Sequence, residues 1–541
     1  MVHQEEHFAA IVRALSDALS DPATYPERPE AVEVIETHVS AVFLAGRSAY
    51  KVKKPLALPF LDFSTLDRRE HYCREEIRLN AELAPGVYRA VVPIRRKDGR
   101  LHLGGEAGDI VDWAVEMERL PAQHMFDHML AHGRIDNEML QQIAATLVRF
   151  HARAATGEGV DVHGSPAAVR ALVEENFAET DRFVRAGSLH ALARDVHDFV
   201  EAWALHFLND RAERFAQRER MGRIREGHGD LHAGNICFRP EGLVIYDRIE
   251  FSARFRCADV AADLAFLLMD LDHRGYRGFS DYLLREYVAR SEDAELIELV
   301  DFYKCYRAWV RGKVHALRAA QVRGDAREEA RLTAMRYFNL AAGYTLPASL
   351  VLTCGLPGTG KSTAAARLAE AIDCQVLNSD TVRKQLAGVP PGERRASAFG
   401  TGLYDAEHTK ATYGALLEQA GALLDRGRSV LVDACFRDDA QRAPFLAMAR
   451  ERRVPVVVLH VDPPDALVRE RLAARERSGT GTSDAGVDVY ERCKATFTPP
   501  VAEEGAPVVR WADGESGPEM VATVLGALLA QNELSVEAEE G

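Results

Sequence analysis

The stretch Leu350-Val-Leu-Thr-Cys354-Gly355-Leu356-Pro357-Gly358-Thr359-Gly360-Lys361-Ser362-Thr363 reads as a buried strand, a glycine-rich turn and the start of a helix. Its second half matches G-x-x-x-x-G-K-[ST]. In such a loop, small residues let backbone N–H groups close around phosphate oxygens, the lysine supplies a point charge, and the hydroxyl after it can hold Mg²⁺. The dipole of the following helix favours the same anion. A chance glycine-rich turn would not also carry a strand before it and a helix after it.

Working outward, strands and helices alternate: Leu350–Cys354, Val376–Leu377, Ser429–Cys435, Pro455–Val461 and Val508–Trp511 each precede a helical pattern. Alternation of this kind predicts a parallel sheet covered by helices, an α/β domain over about 346–530. Asp380, in Asn378-Ser379-Asp380-Thr381-Val382-Arg383, closes the second strand, where open parallel sheets place ligands. Its carboxylate can accept a proton from an attacking hydroxyl, and Arg383 can bind an anionic part of an acceptor. The plain alternative for Asp380 is a helix N-cap. Asp433 ends the next strand as a metal-binding acid, and Ala434 stands where motor ATPases carry a second, water-activating acid. Arg469, Arg471, Arg475 and Arg477 lie on a helix running into the Gly- and Ser-rich stretch 478–486, as a lid over transferring phosphoryl charge would; Arg475 is the first choice, and a solvated face accounts for at least two of the four. At these residues the region resembles small P-loop kinases, a group that includes gluconate kinase, chloramphenicol phosphotransferase, zeta toxins and the phage-type polynucleotide 5′-kinase. The resemblance implies ATP-dependent phosphorylation of an acceptor with Asp380 as base, and the Asp380/Arg383 spacing is similar to that of the polynucleotide kinase.

Upstream the grammar differs. Short β-rich segments (Val32–Glu36, Val42–Leu44, Ala49–Lys53) give way to long helical patterns, which reads as α+β. The string His228-Gly-Asp230-Leu-His-Ala-Gly-Asn235 has the spacing of a kinase catalytic loop, a base followed five positions later by a metal-binding Asn, and Asp247 after the strand Leu243–Tyr246 completes a base-plus-Mg²⁺ set. Strand alternation puts Lys51 and Lys53 on one face; Lys53 is the choice for the phosphates, with Glu76 as its ion-pair partner and Glu75 in reserve. The region from about 30 to 320 resembles the aminoglycoside phosphotransferase family, which implies a two-lobed, protein-kinase-like fold (small lobe about 30–112, large lobe about 118–320). The same resemblance makes Trp113–Met117 a hinge, with the backbone of Glu116 and Met117 pairing with adenine, and makes Phe150-His151 structural. Thr37–Ser40 stands where a glycine-rich loop is implied, so phosphate cover there is expected to be weaker or made by side chains. Lys304, Arg307, Arg311 and His315 share one helical face. Either that face lines a cleft and favours an anionic acceptor, or it is a solvated basic face.

The whole chain, 541 residues, is too long for one core, and 47% hydrophobic with 28% charged residues excludes fibrous and disordered classes. Lys plus Arg at 67 against Asp plus Glu at 82 gives a net charge of −15, which disfavours a nucleic-acid track. The helical pattern Phe8, Ile11, Val12, Leu15, Leu19 is unlike a signal peptide, no apolar run approaches a bilayer span, and the eight dispersed cysteines carry no metal or disulfide spacing. The expectation is a cytoplasmic protein of two domains, 1–345 and 346–530 with an acidic tail 531–541, joined near the polar helix 326–342. Each domain is expected to use ATP and Mg²⁺ on a small-molecule hydroxyl, without nucleic-acid or membrane partners. Two alternatives stand beside it: a polynucleotide 5′-hydroxyl kinase in the second domain, or a non-catalytic nucleotide sensor in the first.

Overall fold

The computed structural model describes residues 15–37, 39–58, 60–185, 191–390, 405–478, 486–502, 505–512 and 515–539, without the side chains of 185, 475–478 and 533–539. The chain divides into two compact units. One comprises the residues through Ala171 together with Arg211–Tyr303, and the other Leu172–Asp210 together with Lys304 onward.

The first unit opens with an antiparallel sheet. Strands β1 (Val32–Glu36), β2 (Ser40–Ala45) and β3 (Ser48–Lys53) form consecutive hairpins; a short pair, β4 (Ala57–Leu58) and β5 (Leu61–Asp62), leads into the helix Leu66–Asn80; β6 (Tyr88–Lys97), β7 (Arg100–Leu103) and β8 (Asp109–Glu118) complete the sheet in the order β1-β2-β3-β8-β6-β7. Apolar residues alternate along the inner strands, so Phe43, Tyr50, Val52, Ile94 and Ala114 bury one face together with Leu19. The helical large lobe follows, with two short antiparallel pairs, β9 (Ile224–Glu226) with β12 (Cys257–Asp259), and β10 (Ile236–Arg239) with β11 (Gly242–Ile245). The apolar helix Val260–His273 is buried from its first residue to Asp272. This is the α+β, two-lobed, protein-kinase-like fold expected from the sequence.

The second unit is α/β. Strands β13 (Leu350–Cys354), β14 (Cys374–Asn378), β15 (Ser429–Asp433), β16 (Val456–Val461) and β17 (Val508–Trp511) form one parallel sheet in the order β14-β15-β13-β16-β17. β13, β15 and β16 are buried along their whole length, as strands covered on both faces must be.

Two sequence expectations shift. The cut near residue 345 does not follow the packing: the helix Asp325–Gly343 buries Ala334, Phe338 and Ala341, and Asn339 donates to the carbonyl of Pro518 at 2.8 Å. It is a packed element of the second unit rather than a polar connector. The face bearing Lys304, Arg307, Arg311 and His315 is likewise not a solvated one. Lys304 lies over the ring of Tyr344, Arg311 over Tyr337, and His315 stacks on Tyr337, all within the second unit. Burial and the neighbouring Arg311 and Arg318 push the His315 pKa down to about 4.

Two candidate phosphate sites

In the second unit, the loop 355–360 joins the central strand to the helix Lys361–Ala371. Gly355 has φ of +147°, and a Cβ there would sit 2.5 Å from the carbonyl oxygen of Val461, so only glycine lets the turn pass so close to β16. Lys361 folds back to donate to the carbonyl of Leu356 at 2.8 Å. Thr353, Asn378 and Asp433 are register partners at the ends of β13, β14 and β15. Asp433 therefore collects three donors: Ser362 Oγ at 2.7 Å, Asn378 Nδ2 at 2.8 Å and Thr353 Oγ1 at 3.2 Å. A hydroxyl beside a buried carboxylate suits a hard, oxygen-seeking cation such as Mg²⁺.

Asp380 is not the cap of its helix. The cap of Ser379–Leu386 is Asn378, whose Oδ1 accepts from the N–H groups of Asp380 and Thr381 at 3.0 Å each. The Asp380 carboxylate is thereby left for other work, and Arg383 donates to its Oδ1 at 3.1 Å. Burial raises the Asp380 pKa, with Arg383 and Lys361 opposing. Arg383 is thus turned toward Asp380. On the helix Asp465–Ser478, Arg469 pairs with Glu491 at 2.8 Å, whereas Arg471, which sequence reasoning ranked below Arg475, donates to the carbonyl of Thr359 in the phosphate loop at 3.3 Å. The side chain of Arg475 lies outside the described residues.

In the first unit, one carboxylate organises two lysines. Glu76, fully buried on the helix Leu66–Asn80, accepts from Lys51 Nζ on Oε1 at 2.8 Å and from Lys53 Nζ on Oε2 at 2.6 Å. Lys51 also reaches Asp247 Oδ1 at 2.5 Å. Lys53, 1% exposed, is closed off by Glu250 and by the ring of Phe63, 5.0 Å from its Nζ. Burial opposes charge on both lysines, but Asp247 and Glu76 on one, and Glu250 and Glu76 on the other, outweigh it and hold each pKa above its ordinary value. Of the two lysines it is therefore Lys51, not Lys53, that faces Asp247. Glu75 points elsewhere, pairing with Arg78.

The Asp230 loop is clamped from below. The N–H groups of His228 and Gly229 donate to the two carboxylate oxygens of buried Asp263 at 2.7 and 2.8 Å, and His151 contacts the same carboxylate at 3.1 Å. His151 is structural, as expected. Gly229 has φ of +85°, and a Cβ there would meet the Phe255 oxygen and Arg256 Cα at 3.1 Å. Asn235 Nδ2 donates to the Asp230 carbonyl at 3.0 Å, and the Tyr246 N–H donates to the Asn235 carbonyl at 3.0 Å, which brings Asp247 beside Asn235. Asp247 itself has φ of +66°.

Two other expectations fare differently. Glu116 and Met117 lie inside β8, opposite Tyr50 and Ala49 of β3 on one side and Ala90 and Tyr88 of β6 on the other. Both residues are thus paired within the sheet, and the chain leaves it after Glu118. Thr37 closes its own turn, its Oγ1 accepting from the Ser40 N–H at 3.0 Å and donating to the Ser40 carbonyl at 2.9 Å. His38 lies outside the described residues. Sequence reasoning missed Asp263, Glu250 and the capping role of Asn378, and it ranked Arg471 below Arg475. For Asn378 a signal was present, an Asn directly before the helix start, where caps are favoured.

Uncharacterized protein Rv2004c of Mycobacterium tuberculosis is 34% identical to this chain over 462 residues, which span 85% of this chain and 88% of the relative. Uncharacterized protein Mb2027c of Mycobacterium bovis matches to the same extent. The chain belongs to the family of these mycobacterial proteins. Residues 350–500 match the AAA domain family AAA_33, the part that holds the phosphate loop, Asp380 and Asp433. Among solved structures, the GDP complex of aminoglycoside 2′-phosphotransferase-IIIa is similar over 57% of this chain and 93% of that chain, with 15% identity and a TM-score of 0.36. The Mycobacterium tuberculosis APS kinase CysC in complex with AMPPNP and APS is similar over 34% of this chain and 98% of that chain, with 22% identity and a TM-score of 0.25.

Proposed function

We propose that the protein is a bifunctional, ATP-dependent phosphotransferase whose two units each transfer a γ-phosphoryl group to the hydroxyl of a small-molecule acceptor. The observation that carries the reading is the Asp433 carboxylate, bonded to Ser362 of the phosphate loop and joined through Asn378 to the helix that presents Asp380. Mg²⁺–ATP, when bound, supplies the electrophilic phosphorus. In the second unit, the loop N–H groups of 355–363 and Lys361 would hold the phosphates, and Ser362 and Asp433 the cation. Asp380 would take the acceptor proton on the oxygen that Arg383 does not occupy. In the first unit, Lys51 would bind phosphate, Asn235 and Asp247 the cation, and Asp230 the acceptor proton. Lys53 and Glu76 would orient Lys51. The net charge of −15 and the scattered free cysteines support small acceptors in a reducing cytoplasm over nucleic-acid or membrane partners.

The deciding experiment compares metabolites of a cell extract, by mass spectrometry, after incubation with ATP and wild-type, Asp230→Asn or Asp380→Asn protein. Each variant should lose a different phosphorylated product. If both variants phosphorylate the same metabolites as wild type, the assignment fails. The 3.1 Å contact of Arg383 with Asp380 also favours a second reading, a 5′-hydroxyl polynucleotide kinase. Labelled transfer to a 5′-hydroxyl oligonucleotide, lost in Asp380→Asn, would put that reading first.

A further inference from the structure

The side chain of Asn378 does two things at once. Its Oδ1 accepts from the Asp380 and Thr381 N–H groups, and its Nδ2 donates to Asp433 Oδ2, the oxygen that Ser362 also contacts. The amide orientation follows from the bonds, because only the carbonyl end can accept from two N–H groups. Strand register makes the arrangement possible, since Asn378 and Asp433 lie opposite each other across β14 and β15. Asp433 is 4% exposed, so its carboxylate is held by these donors rather than by water.

We infer that Asn378 is a positioning residue of the second site, coupling the cation acid Asp433 to the base Asp380 through one amide. The inference rests on the phosphotransferase reading of this unit. The two simplest replacements at this position each do only one of the two jobs. Aspartate caps a helix equally well but sets a second carboxylate against Asp433, and serine caps but lacks an amide N–H to reach the neighbouring strand. When the amide is lost, Asp433 turns on Thr353 and Ser362 alone and the base is no longer tied to it. Misplacement by about 1 Å at a reacting centre costs up to about a hundredfold in rate.

The test uses the full chain carrying Asp230→Asn, so that ADP formation from MgATP reports the second site, with Lys361→Ala as its blank. Asn378→Ser and Asn378→Asp keep the cap but leave Asp433 one donor short, so melting temperatures roughly 2–12 °C below the parent are expected and turnover is measured well below the transition. The KM for MgATP should stay within about threefold while kcat falls about ten- to a hundredfold. A merely structural cap would leave kcat unmoved in both variants. Turnover within about twofold of the parent for both Asn378→Ser and Asn378→Asp overturns the inference and leaves the reading of the site intact. A parent whose turnover Lys361→Ala does not remove overturns both.

Discussion

Replacing the two β3 lysines one at a time separates the roles the structure gives them. Lys51→Met removes the cation that joins Glu76 to Asp247, yet Glu76 keeps Lys53 on its other oxygen, and Asp247, with its side chain 38% exposed, can be hydrated. The stability cost should stay within about 2 kcal/mol, while loss of a key charge at the reacting centre lowers turnover about a hundred- to a thousandfold. Lys53→Met does the opposite. It strands Glu250 and one oxygen of Glu76 in a site where neither carboxylate is more than 7% exposed. Breaking a buried pair costs about 3–5 kcal/mol. At about 2–4 °C per kcal/mol for a domain of this size, the first unit should melt roughly 6–20 °C lower. The assay is a thermal melt of the full chain beside ADP formation in a Lys361→Ala background, measured well below the lowered transition. The assignment is refuted if Lys53→Met melts like wild type and abolishes turnover while Lys51→Met keeps it.

Asp380→Asn should lower turnover of the second site about a hundred- to ten-thousandfold with little change in nucleotide affinity. Because burial raises the Asp380 pKa above its ordinary 3.8, the folded state binds its proton more tightly than the unfolded chain, and the wild type loses that stability as pH rises through the folded value. Asp380→Asn should therefore melt slightly above wild type at pH 7 and level with it below pH 3.8, which melts across pH 3–7 would check. Asp263 shows the reverse sign: its donors outweigh burial and depress the pKa, so its contribution is present above 3.8 and lost as pH falls toward the folded value. Asp263→Asn should lose about 3–5 kcal/mol at pH 7 in denaturant titrations of the first unit, with the gap from wild type narrowing in acid. Gly229→Ala meets a left-handed φ and the 255–256 backbone together, so it should cost about 1–3 kcal/mol and reduce ADP formation by the first site while sparing the second.

Features held in one continuous string were legible in the sequence. The phosphate loop follows its strand directly, and β1, β13 and β17 fall on the bounds that apolar alternation or apolar runs set for them. Asp230, Asn235 and Asp247 likewise stand within one short segment, and the Asn235 side-chain bond to the Asp230 carbonyl and the Tyr246 N–H bond to the Asn235 carbonyl bring them together locally. Pattern also announced the helices of 304–343, but an amphipathic stripe states only that a face is buried and not against what. Trp309 packs on Phe177 and Phe338, an encounter of two consecutive helices with one that lies far upstream in the chain, and all three residues fall in the second unit.

The choice between Lys51 and Lys53 marks where such reading stops. Both lie on one face of β3 because strand side chains alternate, both reach Glu76, and nothing within β3 distinguishes them. Glu250 does so from 197 positions away by closing over Lys53 and leaving Lys51 as the lysine that faces Asp247. Asn378 and Asp433 repeat the lesson in a parallel sheet: 55 residues apart, they become neighbours only through the register of β14 on β15. In each unit, then, the residue type needed for the chemistry is written locally, while its assignment to a role is made by a carboxylate that tertiary structure delivers. Exchanging the local residues alone, as in Lys51→Met/Lys53→Arg, should for that reason leave the first site inactive: a cation at 53 remains bound to Glu250 and cannot replace the one lost at 51.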